Sequence, residues 1–178
     1  YTVVQDGDSL GELTWSGDDG TDLNTVAAAI ITEVDGTPGS NDIPGRILLR
    51  TGDGGTLTTA MTINSSQNVG IGTTSPDTLL HLNTSSAGTA LTIESTEAGS
   101  SSGADIELYR NSASPAAFDN LGSILFYGQE ATSEDKIVYG EIQGFISDPT
   151  NTNYEGGLTF YAPRFGSQFE FIRITGAD

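Results

Sequence analysis

Few residues in this chain have the type and spacing to do chemistry. The only histidine, His81, stands between Leu80 and Leu82. Strand alternation points it away from both neighbours, so an exposed or hydrogen-bonded strand histidine is expected. Three copies could converge on an axis and bind a metal, but one chain lacks the soft ligands for zinc, having no cysteine at all. Asp18-Asp19-Gly20-Thr21-Asp22-Leu23-Asn24 crowds hard oxygens together. Its glycine falls at the third position, not the sixth, and no bidentate glutamate follows at the twelfth, so a solvated turn is expected, not a calcium loop. Gly70-Ile71-Gly72 lacks the third glycine and the helix of a phosphate-cradling loop. Those glycines are expected to serve tight turning and close chain approach near a shared axis. Among 24 acidic residues, no carboxylate pair is singled out for glycoside hydrolysis. No catalytic residue, metal site or cofactor is therefore assigned, and the chain is read as non-enzymatic. Aromatic rings that could stack on a sugar face are Tyr127, Tyr154 and Tyr161, which lie on the alternate face of their strands or in a loop. They are the glycan-contact candidates, with packing between chains as the competing explanation.

The elements that hold these residues are short. Apolar-alternating runs are separated by clusters of Gly, Asn, Asp, Pro and Ser, the pattern of β-strands and turns. Ala27-Ala28-Ala29 alone suggests helix; its counterpart further along, Tyr139-Gly140-Glu141, does not, and both are read as strands. Leu, Ile, Val and Phe make up 41 of 178 residues, a lean but sufficient core. No apolar run approaches the roughly 20 residues of a membrane-spanning helix. A net charge of −18 at pH 7 argues against binding nucleic acid or an anionic membrane surface, both of which need Lys and Arg.

An internal repeat organises the chain. Leu10-Gly11-Glu12-Leu13-Thr14-Trp15-Ser16-Gly17 matches Leu121-Gly122-Ser123-Ile124-Leu125-Phe126-Tyr127-Gly128. After a one-residue slip, Val26, Ile30 and Val34 match Val138, Ile142 and Ile146. Gly45-Arg46-Ile47-Leu48-Leu49 then matches Gly156-Gly157-Leu158-Thr159-Phe160, and Met61-Thr62-Ile63 matches Ile172-Arg173-Ile174. The second copy is preceded by an alternating segment, residues 104–110, and residues 84–103 read as a flexible connection holding one brief strand at Leu91 and Ile93. The first residue is Tyr, and the window is expected to come from a longer array of such copies.

Asn68-Val69-Gly70-Ile71-Gly72-Thr73-Thr74-Ser75-Pro76, followed by Leu80-His81-Leu82, resembles a motif of bacteriophage tail-fibre proteins. Leu10-Gly11 to Trp15, residues 35–39, Pro44-Gly45-Arg46 and Met61-Thr62-Ile63 extend the resemblance over nearly the whole chain. Such fibres are long trimers, many ending in a C-terminal chaperone domain that cleaves itself off after assembly. The chaperone's Ser/Lys machinery has no counterpart here, the only lysine being Lys136. Similar segments occur in bacterial trimeric surface adhesins, which stay open as an alternative, as does a polysaccharide-degrading tailspike.

The expectation is thus an all-β chain: a homotrimeric fibre of two repeated β-sandwich-like modules around a threefold axis. Residues 1–67 form the first module, 68–90 a linker carrying the motif, and 91–178 the second module. The core is expected from Leu13, Trp15, Ile30, Ile47, Leu49, Met61 and Ile63, with Ile124, Phe126, Ile142, Leu158, Phe160, Ile172 and Ile174 as their counterparts. The resemblance implies an extracellular virion component that extends and presents a receptor-binding apparatus. Its partners would be itself as homotrimer, other tail-fibre or baseplate proteins and host cell-surface glycan, with no nucleic acid and no membrane insertion.

Overall fold

The computed structural model describes residues 2–176 apart from 101, 134, 151–153 and 165. The chain divides into two units, Tyr1–Glu94 and Ser95–Asp178. Each holds one sheet, an antiparallel meander extended in the first unit by a parallel sixth strand, and the described residues contain strands, turns and no helix. The first sheet has the order β1 (Ser9–Gly17), β2 (Thr25–Val34), β3 (Gly45–Gly52), β4 (Leu57–Ile63), β5 (Val69–Ile71), β6 (Leu80–Leu82). The second has the order β10 (Ser167–Thr175), β9 (Glu155–Arg164), β8 (Lys136–Asp148), β7 (Asn120–Gln129). The alanines of β2 are held extended because β1 and β3 satisfy their backbone on both sides, and the β-branched Ile30, Ile31, Thr32 and Val34 suit a pleated surface.

The repeat is reproduced in its register and in three of its irregularities, a fourth, between Ile146 and Asp148, being peculiar to the second sheet. Leu13–Ile30–Leu49–Met61 aligns across four strands of the first sheet, as Ile124–Ile142–Phe160–Ile172 does in the second. Three register shifts recur at corresponding places and leave Leu10, Ala27 and Ala60 as the extra residues in one copy. Leu121, Tyr139 and Phe171 are the extra residues in the other. Bulges bend and twist a strand locally, so the two sheets share one curvature program.

Residues 69–71 and 80–82, expected within a linker, are β5 and β6 of the first sheet. These two strands run parallel although only eight residues join them, where a parallel pair ordinarily needs a crossover of a dozen or more. Two glycines make the short return possible. A Cβ on Gly70 would lie 2.6 Å from the Thr73 carbonyl oxygen and 2.9 Å from its Cγ2. Gly72 has φ +74°, and a Cβ there would collide with the Asn83 carbonyl. Asn64 and Asn68 both donate from Nδ2 to the carbonyl of buried Pro76, each at 3.3 Å. The Gly-Thr-Thr-Ser-Pro stretch is therefore a compact turn folded down against the sheet.

Two expected strands do not form. Residues 91–93 and 104–110 make no strand pairing among the described residues, and their apolar side chains stay exposed. The alternation of residues 104–110 is real, but a strand exists only where another backbone supplies its hydrogen bonds.

Candidate functional site

Residues directly opposite one another in register share a face. In the first sheet Leu13–Ile30–Leu49–Met61–Ile71–Leu82 forms an unbroken apolar row across all six strands. Ile47–Ile63–Val69–Leu80 forms a second row beside it, and Trp15 continues the face opposite Ala28. In the second sheet Ile124–Ile142–Phe160–Ile172 is flanked by Gly122–Gly144–Leu158–Ile174, with Phe126 opposite Gly140. These rows contain the residues expected to form the core, yet among the described residues of each unit no second sheet covers them. Trp15 is 48% exposed and Phe126 55%, while Leu13, Ile47, Ile124, Leu158, Ile172 and Ile174 are exposed as well. Ile30, Leu49, Met61, Ile63, Ile142 and Phe160 are half-buried.

Apart from Val34, which shares the phase of Ile30 on β2, the buried side chains lie on the opposite face. Ala29, Ile31 and Leu48 form the first unit's cluster, with Leu57 packed against it. The sandwich-like module is corrected: each unit has one sheet, so the second layer that a sandwich requires is not present among the described residues of either unit. A sheet with one apolar face normally buries it against another layer. The chain exposes 13318 Å², against about 9,900 Å² for two compact units of half its mass each.

The other face is closed by polar groups. On the first sheet Arg46 lies 2.8 Å from Glu33 and 3.3 Å from Asp35, and Arg50 reaches Glu33 at 3.4 Å. These part-buried charges lie on the same face as Ile31 and Leu48. Burial pushes Asp35 up, but the Ser65 N–H and hydroxyl and the Arg46 guanidinium together hold it below its ordinary range. The Gly70 turn covers the far end of the same face. The trio Glu33, Arg46 and Arg50 was not singled out from the sequence, although each occupies the polar phase of its strand's alternation. On the second sheet the equivalent face is more polar. Glu141 is buried and accepts from Ser123 Oγ at 2.7 Å and from the side-chain amides of Gln143 and Gln168 at 3.3 Å each. Arg173 lies 5.0 Å over the Phe145 ring and pairs with Glu170 at 2.6 Å.

The residues singled out from the sequence do not converge. Tyr127 sits at the β7–β8 hairpin end with the Lys136 ammonium 4.5 Å from its ring centre. Tyr154 lies just before β9, at the opposite end of β8, and is largely exposed. Tyr161 is half-buried on the polar face, opposite Glu141 and Glu170. The three rings thus occupy different places on the second unit. His81 is half-buried on β6, with Nδ1 2.9 Å from Asp77 Oδ1, while Leu80 and Leu82 turn to the apolar face. In the β1–β2 loop the carboxylates are occupied locally: Asp18 accepts from Gly20 N–H and Asp22 from Asn24 N–H, each at 2.8 Å. Asp19 accepts from the Thr25 hydroxyl at 2.6 Å and from Thr21 N–H at 2.8 Å. The Thr25 hydroxyl first, then the Thr21 and Asp22 N–H groups, hold Asp19 at a pKa of about 2. Glu130 in the β7–β8 turn reaches about 2 in the same way, through the Thr132 hydroxyl and the Ser133 and Thr132 N–H groups. Among the described residues no three His, Asp or Glu are grouped to hold a metal ion.

No family model and no curated protein matches the chain. Two solved structures are similar to it. One is the carboxy-terminal domain of the bacteriophage T5 L-shaped tail fibre, at TM-score 0.73 and 14% identity, covering 99% of this chain and 82% of that one. The other is the same domain with its intra-molecular chaperone domain, at TM-score 0.74 and 14% identity, covering 99% of this chain and 57% of that one. In each case the likeness spans both units. The all-β fold of this chain is similar to that of the bacteriophage T5 tail-fibre domain.

Proposed function

We propose that this chain is a structural segment of a viral tail fibre, assembled as a homotrimer and extending a receptor-binding apparatus carried elsewhere in the protein. The observation that carries the reading is the matched pair of uncovered apolar faces. Two copies of one module present the same rows outward, in the same register and with three bulges in common. Selection within one chain for burial in that chain would have paired these faces with a second layer. Turning each toward the corresponding face of other copies buries them without adding any element. The excess exposed area, about 3,400 Å² over two compact units, exceeds the ~800 Å² per partner of an ordinary stable interface.

Three copies accord with the motif's resemblance to trimeric fibres, and the fold supports a place in the virion. The role is mechanical and non-catalytic: the module sets reach and stiffness. Tyr127, Tyr154 and Tyr161, spread over the second unit, offer separate ring surfaces for host glycan and no single pocket. The solution mass by light scattering tests the reading. Three copies of an 18.5 kDa chain weigh 55.5 kDa; a well-folded species of 18.5 kDa would refute it.

A further inference from the structure

The edge of the second sheet and an orphaned segment of the same chain fit one another. β7 lies at one edge of its sheet, and its ten residues, Asn120–Gln129, include no charged residue and no proline. Edges of that kind pair with other strands unless they are guarded. Among the described residues the corresponding edge of the first sheet, β1, likewise has no strand beside it. The opposite edge differs, because β4 is followed by β5 whereas β10 has no neighbour beyond it.

Residues 104–110 (Ala-Asp-Ile-Glu-Leu-Tyr-Arg) supply the complementary half. They alternate as a strand does, yet no main-chain hydrogen bond joins them to any described residue. Ile106, Leu108 and Tyr109 are all exposed. Within the chain this segment touches β7 through side chains only. Leu108 Cβ lies 3.1 Å from where a Gly122 Cβ would be. Arg110 Nη1 donates to the Asn120 carbonyl at 3.1 Å and pairs with Asp119 at 3.1 Å. Leu108 facing Gly122 and Arg110 facing Asn120 is the register of an antiparallel pair. The Leu108 contact, however, places the segment over the apolar face instead of beside the edge, in the layer that a neighbouring copy must occupy.

We propose that residues 104–110 form a strand only in the assembly, where they add antiparallel to the free edge of β7 of a neighbouring copy in this same register. The inference rests on the multi-chain reading above and specifies which backbone crosses between chains. Exchange of this kind satisfies the main-chain groups of both partners at once. It also puts Ile106 and Leu108 against the neighbour's apolar rows. Each chain is then held by hydrogen bonds as well as by apolar contact.

The register places Ile106 opposite Ile124, and the chain contains no cysteine. Opposed strand residues have Cα separations of about 4.5–5.5 Å, which a disulfide spans without strain. Ile106→Cys and Ile124→Cys chains, tagged differently, refolded together and oxidised, are expected to give a disulfide joining the two tags. The double variant is expected to run as a covalent trimer on a denaturing gel. A bond closed within single chains of the double variant overturns the proposal, as does absence of any bond in protein of trimeric mass. If the variants do not fold, amide exchange on the unaltered protein decides. Assembly should slow exchange in residues 104–110 by at least about a hundredfold over unpaired amides, and exchange at the unpaired rate overturns it. Light scattering keeps the two readings apart: trimeric mass without the cross-link defeats only the strand exchange, whereas a folded monomer defeats both.

Discussion

Replacing Phe126 by alanine tests where the apolar faces are buried. Phe126 is 55% exposed in the single chain. For an aromatic side chain of roughly 200 Å², that leaves about 110 Å² for a neighbouring copy to cover. At about 25 cal/mol/Å², the covered area contributes about 3 kcal/mol per copy, or about 8 kcal/mol over three copies. The residual contacts inside the chain, mainly the ring against the space above Gly140, add a smaller local loss. The expected outcome is a lower melting temperature, by about 6–12 °C for a chain of this size, together with dissociation at concentrations where the parent protein stays assembled. Thermal unfolding and concentration-dependent light scattering measure the two effects. A variant with unchanged melting and mass would show that no partner covers Phe126, and the argument from the uncovered face would fail with it.

Other perturbations probe other parts of the structure. Gly70→Ala forces a Cβ against the Thr73 carbonyl and should destabilise the first unit by about 1–3 kcal/mol in urea unfolding, leaving the second unit's transition unmoved. The folded pKa of Asp35 lies below its ordinary 3.8. Its pairing therefore stabilises the first unit above that value and is lost as pH falls through the lower folded pKa. Asp35→Asn should accordingly cost most near neutrality, and its melting curve should converge with the parent's in strong acid. With −18 on each chain, assembly should strengthen as salt rises, because the screening length falls from about 10 Å at 0.1 M to about 3 Å at 1 M. Light scattering across that range checks it, and weaker assembly at high salt would contradict it.

Much of this protein is determined by the sequence alone. Period-2 alternation, turn clusters and the absence of long apolar stretches dictate strands. The 111-residue repeat correctly aligns Leu13 with Ile124 and Leu49 with Phe160, because side-chain phase in a strand is a local property. The apolar face is legible for the same reason. The Gly70 and Gly72 positions also announce close approach, since only glycine tolerates the contacts found there. Tertiary structure decided what local pattern does not encode. An alternating strand says that one face is apolar, but not whether its cover comes from the same chain. That depends on how many layers the chain can build, and each unit builds one. Residues 69–71 and 80–82 join the first sheet because the turn between them folds flat over Gly70, a long-range fit invisible in composition. Residues 104–110 have the pattern of a strand without the partner that makes one. Ala29, Ile31 and Leu48 are buried with Leu57 on the face that also carries the Glu33, Arg46 and Arg50 ion pairs, a grouping that only the register of β2 and β3 brings about.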